Sequence, residues 1–126
     1  GFVKDNRGLT YYLDEKGNKV LGLHEINGDL YYFRRGGAYK YTQLGDMWQD
    51  SINYIDGKIY YFGHDGRAIK NRFYQWGNYW YYFYADGSAA TGAVQINGQQ
   101  LYFDKNHFSI EKNTLFRNFF VILHPK

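Results

Sequence analysis

The chain of 126 residues contains no cysteine and only one proline. Without cysteine it has neither a disulfide scaffold nor a thiolate metal site. The lack of cysteine does not indicate in which cellular compartment the protein works. Neither sign of charge dominates the chain, since the net charge is only +3 and the basic residues are spread along the sequence. A nucleic-acid or anionic-membrane partner is therefore not expected. The chain also lacks a signal peptide and the roughly eighteen-residue apolar run of a membrane-spanning helix, so we expect no membrane insertion.

The polar residues show no catalytic or metal-binding pattern. The four histidines are scattered without the spacing of metal ligands. Acidic residues fall mostly in turns, where paired catalytic carboxylates would lack the cleft that shifts their pKa values. A phosphate loop and a Gly-x-Ser-x-Gly motif are also missing. The polar residues therefore give no sign of an enzyme, and we expect neither a metal nor a cofactor.

Aromatic residues, in contrast, are abundant and periodic. They make up 22% of the chain, and a Tyr-Tyr-Phe triplet or a near copy of it occurs five times. The central tyrosines follow one another after 20, 29, 21 and 20 residues, and they are Tyr12, Tyr32, Tyr61, Tyr82 and Tyr102. A period near twenty residues indicates a small unit that has been copied and stacked, because one such unit cannot bury its apolar face alone.

Each unit has the pattern of a β-hairpin. Two short alternating runs flank a dipeptide that favours a type I′ turn, in which both central residues need positive φ. This dipeptide occurs as Asn27-Gly28, Asp56-Gly57 and Asn97-Gly98, with a reversed version at Gly77-Asn78. Alternation places the phenylalanines of the triplets on the face opposite the central tyrosines. We expect the phenylalanine face to form the core, since a buried phenylalanine leaves no hydroxyl without a partner.

We expect an all-β fold, a β-solenoid of stacked hairpin repeats of about 20 residues. The predicted array comprises repeats 1–22, 23–43, 44–71, 72–92 and 93–113, followed by a capping segment at 114–126. The alternative for this apolar tail is an interaction or aggregation segment. The chain begins within the repeat pattern, so we expect it to be part of a longer protein. An open solenoid end is an unpaired edge and would permit a homodimer.

The repeat pattern resembles a known family over about residues 1 to 106. It is clearest in Trp80-Tyr81-Tyr82-Phe83, which Asp86-Gly87 and Thr91-Gly92 follow. This pattern is similar to the cell-wall or choline-binding repeat family, one branch of which is the glucan-binding domain of glucansucrases. The resemblance implies a β-solenoid that binds its ligand at repeat junctions. The choline branch holds choline in cages of three aromatic rings, whereas the glucan branch holds α-glucan chains, and related clostridial toxin repeats bind host carbohydrate.

The tryptophan pattern favours the glucan branch. A quaternary ammonium needs electron-rich rings, and the choline branch supplies them from Gly-Trp at the repeat start and from a tryptophan before the two tyrosines. Here the repeat starts lack tryptophan, and they are Gly1-Phe2, Gly22-Leu23, Asn71-Arg72 and Gly92-Ala93. Before the tyrosines only Trp80 has the expected ring. A choline-binding cell-wall anchor and a structural spacer or interaction repeat remain the alternatives.

Two clusters of tryptophan and polar side chains are candidate α-glucan sites. The first lies in the long third repeat, whose eight or nine extra residues include Gln43, Asp46, Trp48, Gln49 and Asp50. The second runs from Tyr74 to Trp80, and Lys70 just upstream of it matches a lysine of the glucan-binding repeats. The predicted carbohydrate-binding residues are Trp48, Gln49, Lys70, Tyr74, Gln75, Trp76, Asn78 and Trp80.

Each of these tryptophans could instead be a wedge between hairpins, and Trp80 could pack over Tyr82. The predicted partner is an α-glucan or an oligosaccharide. The resemblance further implies cell-wall association and a secreted or cell-surface location of the Gram-positive bacterial type.

Overall fold

The computed structural model describes residues 1–36 and 44–111, and within these ranges the regular secondary structure is entirely β. The strands are β1 (Phe2–Lys4), β2 (Thr10–Tyr12), β3 (Gly22–Ile26), β4 (Asp29–Phe33), β5 (Ser51–Ile55), β6 (Lys58–Phe62), β7 (Arg72–Trp76), β8 (Tyr79–Phe83), β9 (Gly92–Ile96), β10 (Gln99–Phe103) and β11 (Ile110–Glu111). The all-β class is confirmed. In the described ranges no helix is long and apolar enough to cross a membrane. The predicted capping segment and Gln43 lie outside them.

The strands pair as consecutive hairpins: β1 with β2, β3 with β4, β5 with β6, β7 with β8, and β9 with β10. The predicted turns are confirmed, since Ile26 faces Asp29 across Asn27-Gly28. Asn27 and Gly28 have φ values of 53° and 84°, as a type I′ turn requires. In the reversed turn Gly77 takes the positive φ, at 62°. The short strand β11 pairs with β8, so that β11, β8 and β7 form a three-stranded sheet.

The residues form two compact units. Unit 1 comprises Gly1–Asn53 and Tyr61–Ile69, and unit 2 comprises Tyr54–Tyr60 and Lys70–Lys126. The two predicted clusters therefore belong to different units, because Trp48 lies in unit 1 and Trp76 lies in unit 2.

The phenylalanines of the triplets form the centre of the core. Four of them are fully buried, and they are Phe33, Phe62, Phe83 and Phe103. The central tyrosines vary more in their exposure to solvent, since Tyr32 and Tyr61 are buried but Tyr102 is 56% exposed. The prediction that the phenylalanine face forms the core is confirmed.

Within each unit, backbone hydrogen bonds join one hairpin to the one before it. In unit 1 Met47 N–H donates to the Thr10 carbonyl at 2.7 Å, and Ala68 N–H donates to the Leu30 carbonyl at 2.8 Å. In the same way Ala89 N–H donates to the Ile59 carbonyl in unit 2, at 2.8 Å. In each case the donor is the first residue after the bond that closes the second turn. Neighbouring repeats are thereby brought into contact, so that each helps to bury the apolar face of the other.

Candidate functional site

The regular hydrogen bonds of the long repeat resume before Trp48. In an ordinary second turn Gly63 N–H donates to the Arg67 carbonyl, which closes a span of four residues at 2.9 Å. The equivalent bond runs from Arg34 N–H to the Asp46 carbonyl, also at 2.9 Å, and closes a span of twelve. The expectation that the extra residues include Asp46, Trp48, Gln49 and Asp50 is therefore wrong, because Asp46 holds the regular position of Arg67 and the other three follow it. After Asp46 the chain resumes the hydrogen bonds of the other repeats.

Trp48 occupies a regular position of the repeat that is otherwise held by an aliphatic residue. Its N–H donates to the Tyr32 carbonyl at 2.9 Å. The equivalent donors to the central tyrosines of the other repeats are Val20, Ile69 and Ala90. The Trp48 indole lies over the Tyr32 ring, with centroids 4.2 Å apart and planes inclined by 34°. The large ring therefore has a scaffold contact and also reaches the surface, where it is half-buried.

Trp48 and Gln49 line a groove of about 480 Å³ in unit 1, which we call the Trp48 groove. Its other walls come from Gly8, Leu9, Thr10, Arg34, Asp46, Met47, Ser51 and Asn53. Ligand sites have volumes of about 300–1,000 Å³, so the space suits a small ligand or part of a chain. Asn53 Nδ2 donates to Ser51 Oγ at 2.8 Å, which orders two of the polar groups. The structure thus brings the two predicted residues of the first cluster together.

A second groove in unit 1 adjoins the first. It has a volume of about 390 Å³ and shares Thr10, Met47 and Gln49 with the Trp48 groove. Its remaining walls are Phe2, Lys4, Tyr31, His64 and Asp65. Phe2 is 44% exposed and makes an edge-to-face contact with Tyr31, with centroids 5.2 Å apart. Sequence reasoning missed this groove, although an exposed aromatic residue at the repeat start was a usable signal.

The second predicted cluster is divided between two faces of the β7–β8 hairpin. Trp76 pairs with Tyr79, and Gln75 pairs with Trp80. Because side chains alternate along a strand, Trp76 and Gln75 point to opposite faces. Tyr74 lies on the Trp76 face, where Trp76 and Tyr79 are 39% and 49% exposed. The structure therefore does not bring all six residues of this cluster together.

Most polar members of the second cluster lie away from Trp76 or are engaged locally. Gln75 Nε2 donates to the Gly77 carbonyl at 3.1 Å, within the turn. Asn78 is exposed in that turn, and Lys70 is half-buried before the hairpin begins. Trp80 packs against the buried cluster of unit 2, whose members are Ala90, Ile96, Leu101, Phe103 and Ile110. The position of Trp80 thus fits the packing alternative.

The carboxylates in the turns accept hydrogen bonds from backbone N–H groups. Asp65 Oδ1 accepts Arg67 N–H at 3.0 Å, and Asp86 Oδ1 accepts Ser88 N–H at 2.8 Å. Burial raises the pKa of Asp65, but the Arg67 backbone and guanidinium outweigh it and lower the pKa below its usual range. The described ranges contain no group of three or more histidine or acidic side chains that could hold a metal ion.

Comparison with known sequences gives a consistent picture. Putative cell wall binding repeats match residues 1–19 and 71–89. Glucosyltransferase-S of Streptococcus mutans is 38% identical over 104 residues, which are 81% of this chain and 7% of that protein. Glucosyltransferase-I of Streptococcus downei is 31% identical over 99 residues, which are 79% of this chain and 6% of that protein. The chain thus spans about 7% of the length of its curated relatives.

Solved structures show the same fold. The choline-binding domain of CbpL from Streptococcus pneumoniae is 26% identical, with a TM-score of 0.62 and coverage of 87% of this chain and 54% of that one. The choline binding domain of Spr1274 from the same species is 22% identical, with a TM-score of 0.55 and coverage of 71% and 93%, so it supports the fold alone. The chain therefore carries cell wall binding repeats and is related, over most of its length, to a small part of streptococcal glucosyltransferases.

Proposed function

We propose that this chain is a non-catalytic carbohydrate-binding module that holds α-glucan chains at its repeat junctions. The observation that carries the proposal is the Trp48 groove, where an anchored indole lies beside Gln49 and other polar side chains. The relatives support a glucan as the ligand, because their name denotes the transfer of glucosyl groups. We further propose that the hairpins, tied by bonds such as that from Met47 to Thr10, form a β-solenoid.

The chemistry of the groove suits a sugar ring. The C–H face of a hexose is apolar and can stack on the Trp48 indole, while its hydroxyls need donors and acceptors at the edge of the ring. Gln49, Ser51 and Asn53 supply both kinds of group. The Tyr32 contact fixes the indole before a ligand arrives, so less side-chain entropy is lost on binding.

The charge of the groove suits a neutral ligand. Among its lining residues only Arg34 and Asp46 are charged, and they form an ion pair at 3.0 Å. Their charges balance, so the groove as a whole offers little to attract an anionic or a cationic ligand. Unsubstituted glucans carry no charge and meet this condition.

Trp76 is proposed as a second platform in unit 2, together with Tyr74 on the same face and Asn78 in the adjoining turn. Three predicted residues do not lie on the Trp76 face, and they are Lys70, Gln75 and Trp80. We do not propose that they contact the same sugar. A single shallow site should bind weakly. Two or more sites on one polymer raise retention through effective concentration.

The proposed setting is a secreted or cell-surface protein, as the relation to streptococcal glucosyltransferases suggests. In that setting the module would hold glucan near a cell wall or an enzyme while taking no part in the chemistry.

Affinity electrophoresis in native gels that contain dextran tests the function. The chain should migrate more slowly with rising dextran concentration, relative to a protein that does not bind sugars. Equal mobility in gels with dextran, with soluble starch and without polymer would contradict glucan binding.

A choline-binding cell-wall anchor is the second candidate, because the choline-binding domain of CbpL shares the fold. Retention on an amine-exchange column and elution by free choline would favour it. The exposed faces of Phe2 and Tyr31 in the second groove are the rings that such a ligand would meet.

A further inference from the structure

One wall of the Trp48 groove contains a buried ion pair that the sequence pattern did not reveal. Arg34 Nε lies 3.0 Å from Asp46 Oδ1, and the two side chains are 32% and 8% exposed. In the described ranges Asp46 is the one buried carboxylate. Both facing atoms are closed to solvent, and neither makes a hydrogen bond of good geometry, so their contact is an electrostatic one. Such a pair needs a reason, since burying charges costs free energy that mutual attraction only partly offsets.

The exposed part of Arg34 lies on atoms other than Nε. A guanidinium carries five N–H donors in a fixed planar fork, and Nε holds one of them. Since Nε is closed off against Asp46 while about a third of the side chain is exposed, the exposed surface belongs to the remaining atoms. Arg34 lines the Trp48 groove, and with Nε closed off against Asp46 the other donors of the fork are the ones that a ligand there would meet.

The backbone fixes the same pair at the base of the lengthened turn. Arg34 N–H donates to the Asp46 carbonyl at 2.9 Å, and Gly45 N–H donates to the Arg34 carbonyl at 2.7 Å. Asp46 directly precedes Met47, which is tied to Thr10 on the groove wall. The backbone of Arg34 is therefore fixed beside Asp46, and its guanidinium lies on the same groove wall as Trp48.

We infer that Arg34 contacts the ligand in the Trp48 groove, and that Asp46 positions its guanidinium to donate to neighbouring hydroxyls of a neutral sugar. This role rests on the proposed function and makes it more specific. Asp46 orients the fork and also balances its charge. An arginine without that carboxylate would favour carboxylate or phosphate groups, which guanidinium binds in bidentate fashion. The pair thus selects hydroxyl-rich, uncharged polymers over anionic ones.

Retention of three variants in dextran and in carboxymethyl-dextran gels tests this role. Removal of a hydrogen bond from a charged donor weakens binding about tenfold, so Arg34→Gln should lose about that much dextran affinity. Asp46→Asn should weaken dextran binding and strengthen carboxymethyl-dextran binding, because the guanidinium is then misplaced and unbalanced. Lys16→Gln removes one exposed positive charge from another turn and is the matched control, with dextran binding unchanged.

Arg34→Gln leaves Asp46 buried without its partner and could unfold unit 1. The double variant Arg34→Gln/Asp46→Asn removes both charges, and its melting curve reports whether it is folded. A folded double variant should still bind dextran about tenfold more weakly than the wild type, because the donors of the fork are gone.

The outcomes separate this role from the function itself. A fall in dextran retention in Trp48→Ala, with full retention in the folded double variant, would overturn the role of Arg34 and leave glucan binding intact. Glu15→Gln removes one exposed negative charge from another turn and is the matched control for Asp46→Asn. No gain of carboxymethyl-dextran binding in Asp46→Asn beyond that of Glu15→Gln would overturn the charge-balancing role of Asp46. Unretarded wild-type protein in dextran would overturn both the function and the role of the pair.

Discussion

The indole of Trp48 lies over the ring of Tyr32, with centroids 4.2 Å apart and planes inclined by 34°. The same two residues are joined through the backbone, where Trp48 N–H donates to the Tyr32 carbonyl at 2.9 Å. Tyr32 is itself buried, and its ring lies 6.5 Å from that of the fully buried Phe62. The candidate platform is thus anchored in the core of unit 1, and its orientation is set before a ligand arrives.

Two glycines with the same backbone conformation should respond differently to alanine. Gly28 and Gly66 have φ values of 84° and 85°, so both substitutions carry a left-handed strain of about 1–2 kcal/mol. A Cβ at Gly28 meets open space, whereas one at Gly66 would lie 2.6 Å from Met47 Cε. Gly66→Ala should therefore cost about 1–3 kcal/mol more of unfolding free energy than Gly28→Ala, in urea denaturation. Equal costs would show that Met47 moves aside freely.

Neighbouring residues of β10 should differ strongly in their contribution to stability. Phe103 is fully buried and Tyr102 is 56% exposed. Phe103→Ala should cost about 3–5 kcal/mol of unfolding free energy, because it leaves a cavity in the core of unit 2. Tyr102→Ala should cost about 1 kcal/mol or less, as for a surface strand position. Urea denaturation of both variants measures the difference, and similar midpoints would refute the assignment of the phenylalanine face to the core.

Acid should destabilise the turn that contains Asp5. Desolvation raises the pKa of this carboxyl, but hydrogen bonds from Leu9, Arg7 and Tyr11 outweigh it and lower the pKa from its ordinary value of 3.8 to about 2. The ionised form is favoured in the folded chain, so its stabilising effect is complete above about pH 4 and is lost as the pH falls towards about 2. Melting temperatures between pH 5 and pH 2 should fall less steeply for Asp5→Asn than for the wild type. Parallel curves would exclude this contribution.

Trp76 should matter more for binding than for stability. It lies 39% exposed at the end of β7, beside the turn, so Trp76→Ala should lower the melting temperature only slightly. If it forms a second platform, retention in dextran gels should fall in part, because one of several sites on the polymer is lost. Tyr54→Ala, at a residue 67% exposed in the same unit, is the control. Equal retention of both variants and the wild type would remove Trp76 from the site.

The hairpins and their buried face were predictable from local residues. Asn27-Gly28 demands one turn geometry whatever its surroundings, and strand alternation then assigns Phe33 to one face of its strand. Burial of that face follows because a phenylalanine ring gains most from leaving water.

The position of the lengthened turn was not predictable from the spacing of the tyrosines. The 29 residues from Tyr32 to Tyr61 show that a repeat is long, but they do not show where the extra residues lie. The turn marker Asp-Gly is missing between Arg34 and Met47, so the boundary had no local signal. The ion pair of Arg34 and Asp46 could not be foreseen for the same reason, since the two residues are twelve positions apart in the sequence and meet only in the folded chain.

The second cluster shows a different limit. Gln75 and Trp76 are adjacent in the sequence, and this proximity was read as a shared site. Adjacent residues of a strand point to opposite faces, so strict use of the alternation would have separated them. Trp80 then falls on the face of Gln75, against the core of unit 2.

The central claim is that Trp48 forms the glucan platform of unit 1. Its most direct test compares the dextran-dependent mobility of the wild type, Trp48→Phe and Trp48→Ala in native gels, with melting curves to establish that each is folded. We predict retardation of the wild type, weaker retardation of Trp48→Phe, which keeps a smaller ring, and the weakest for Trp48→Ala, in which only the proposed Trp76 platform remains. A folded Trp48→Ala variant that dextran retards as strongly as the wild type would contradict the claim.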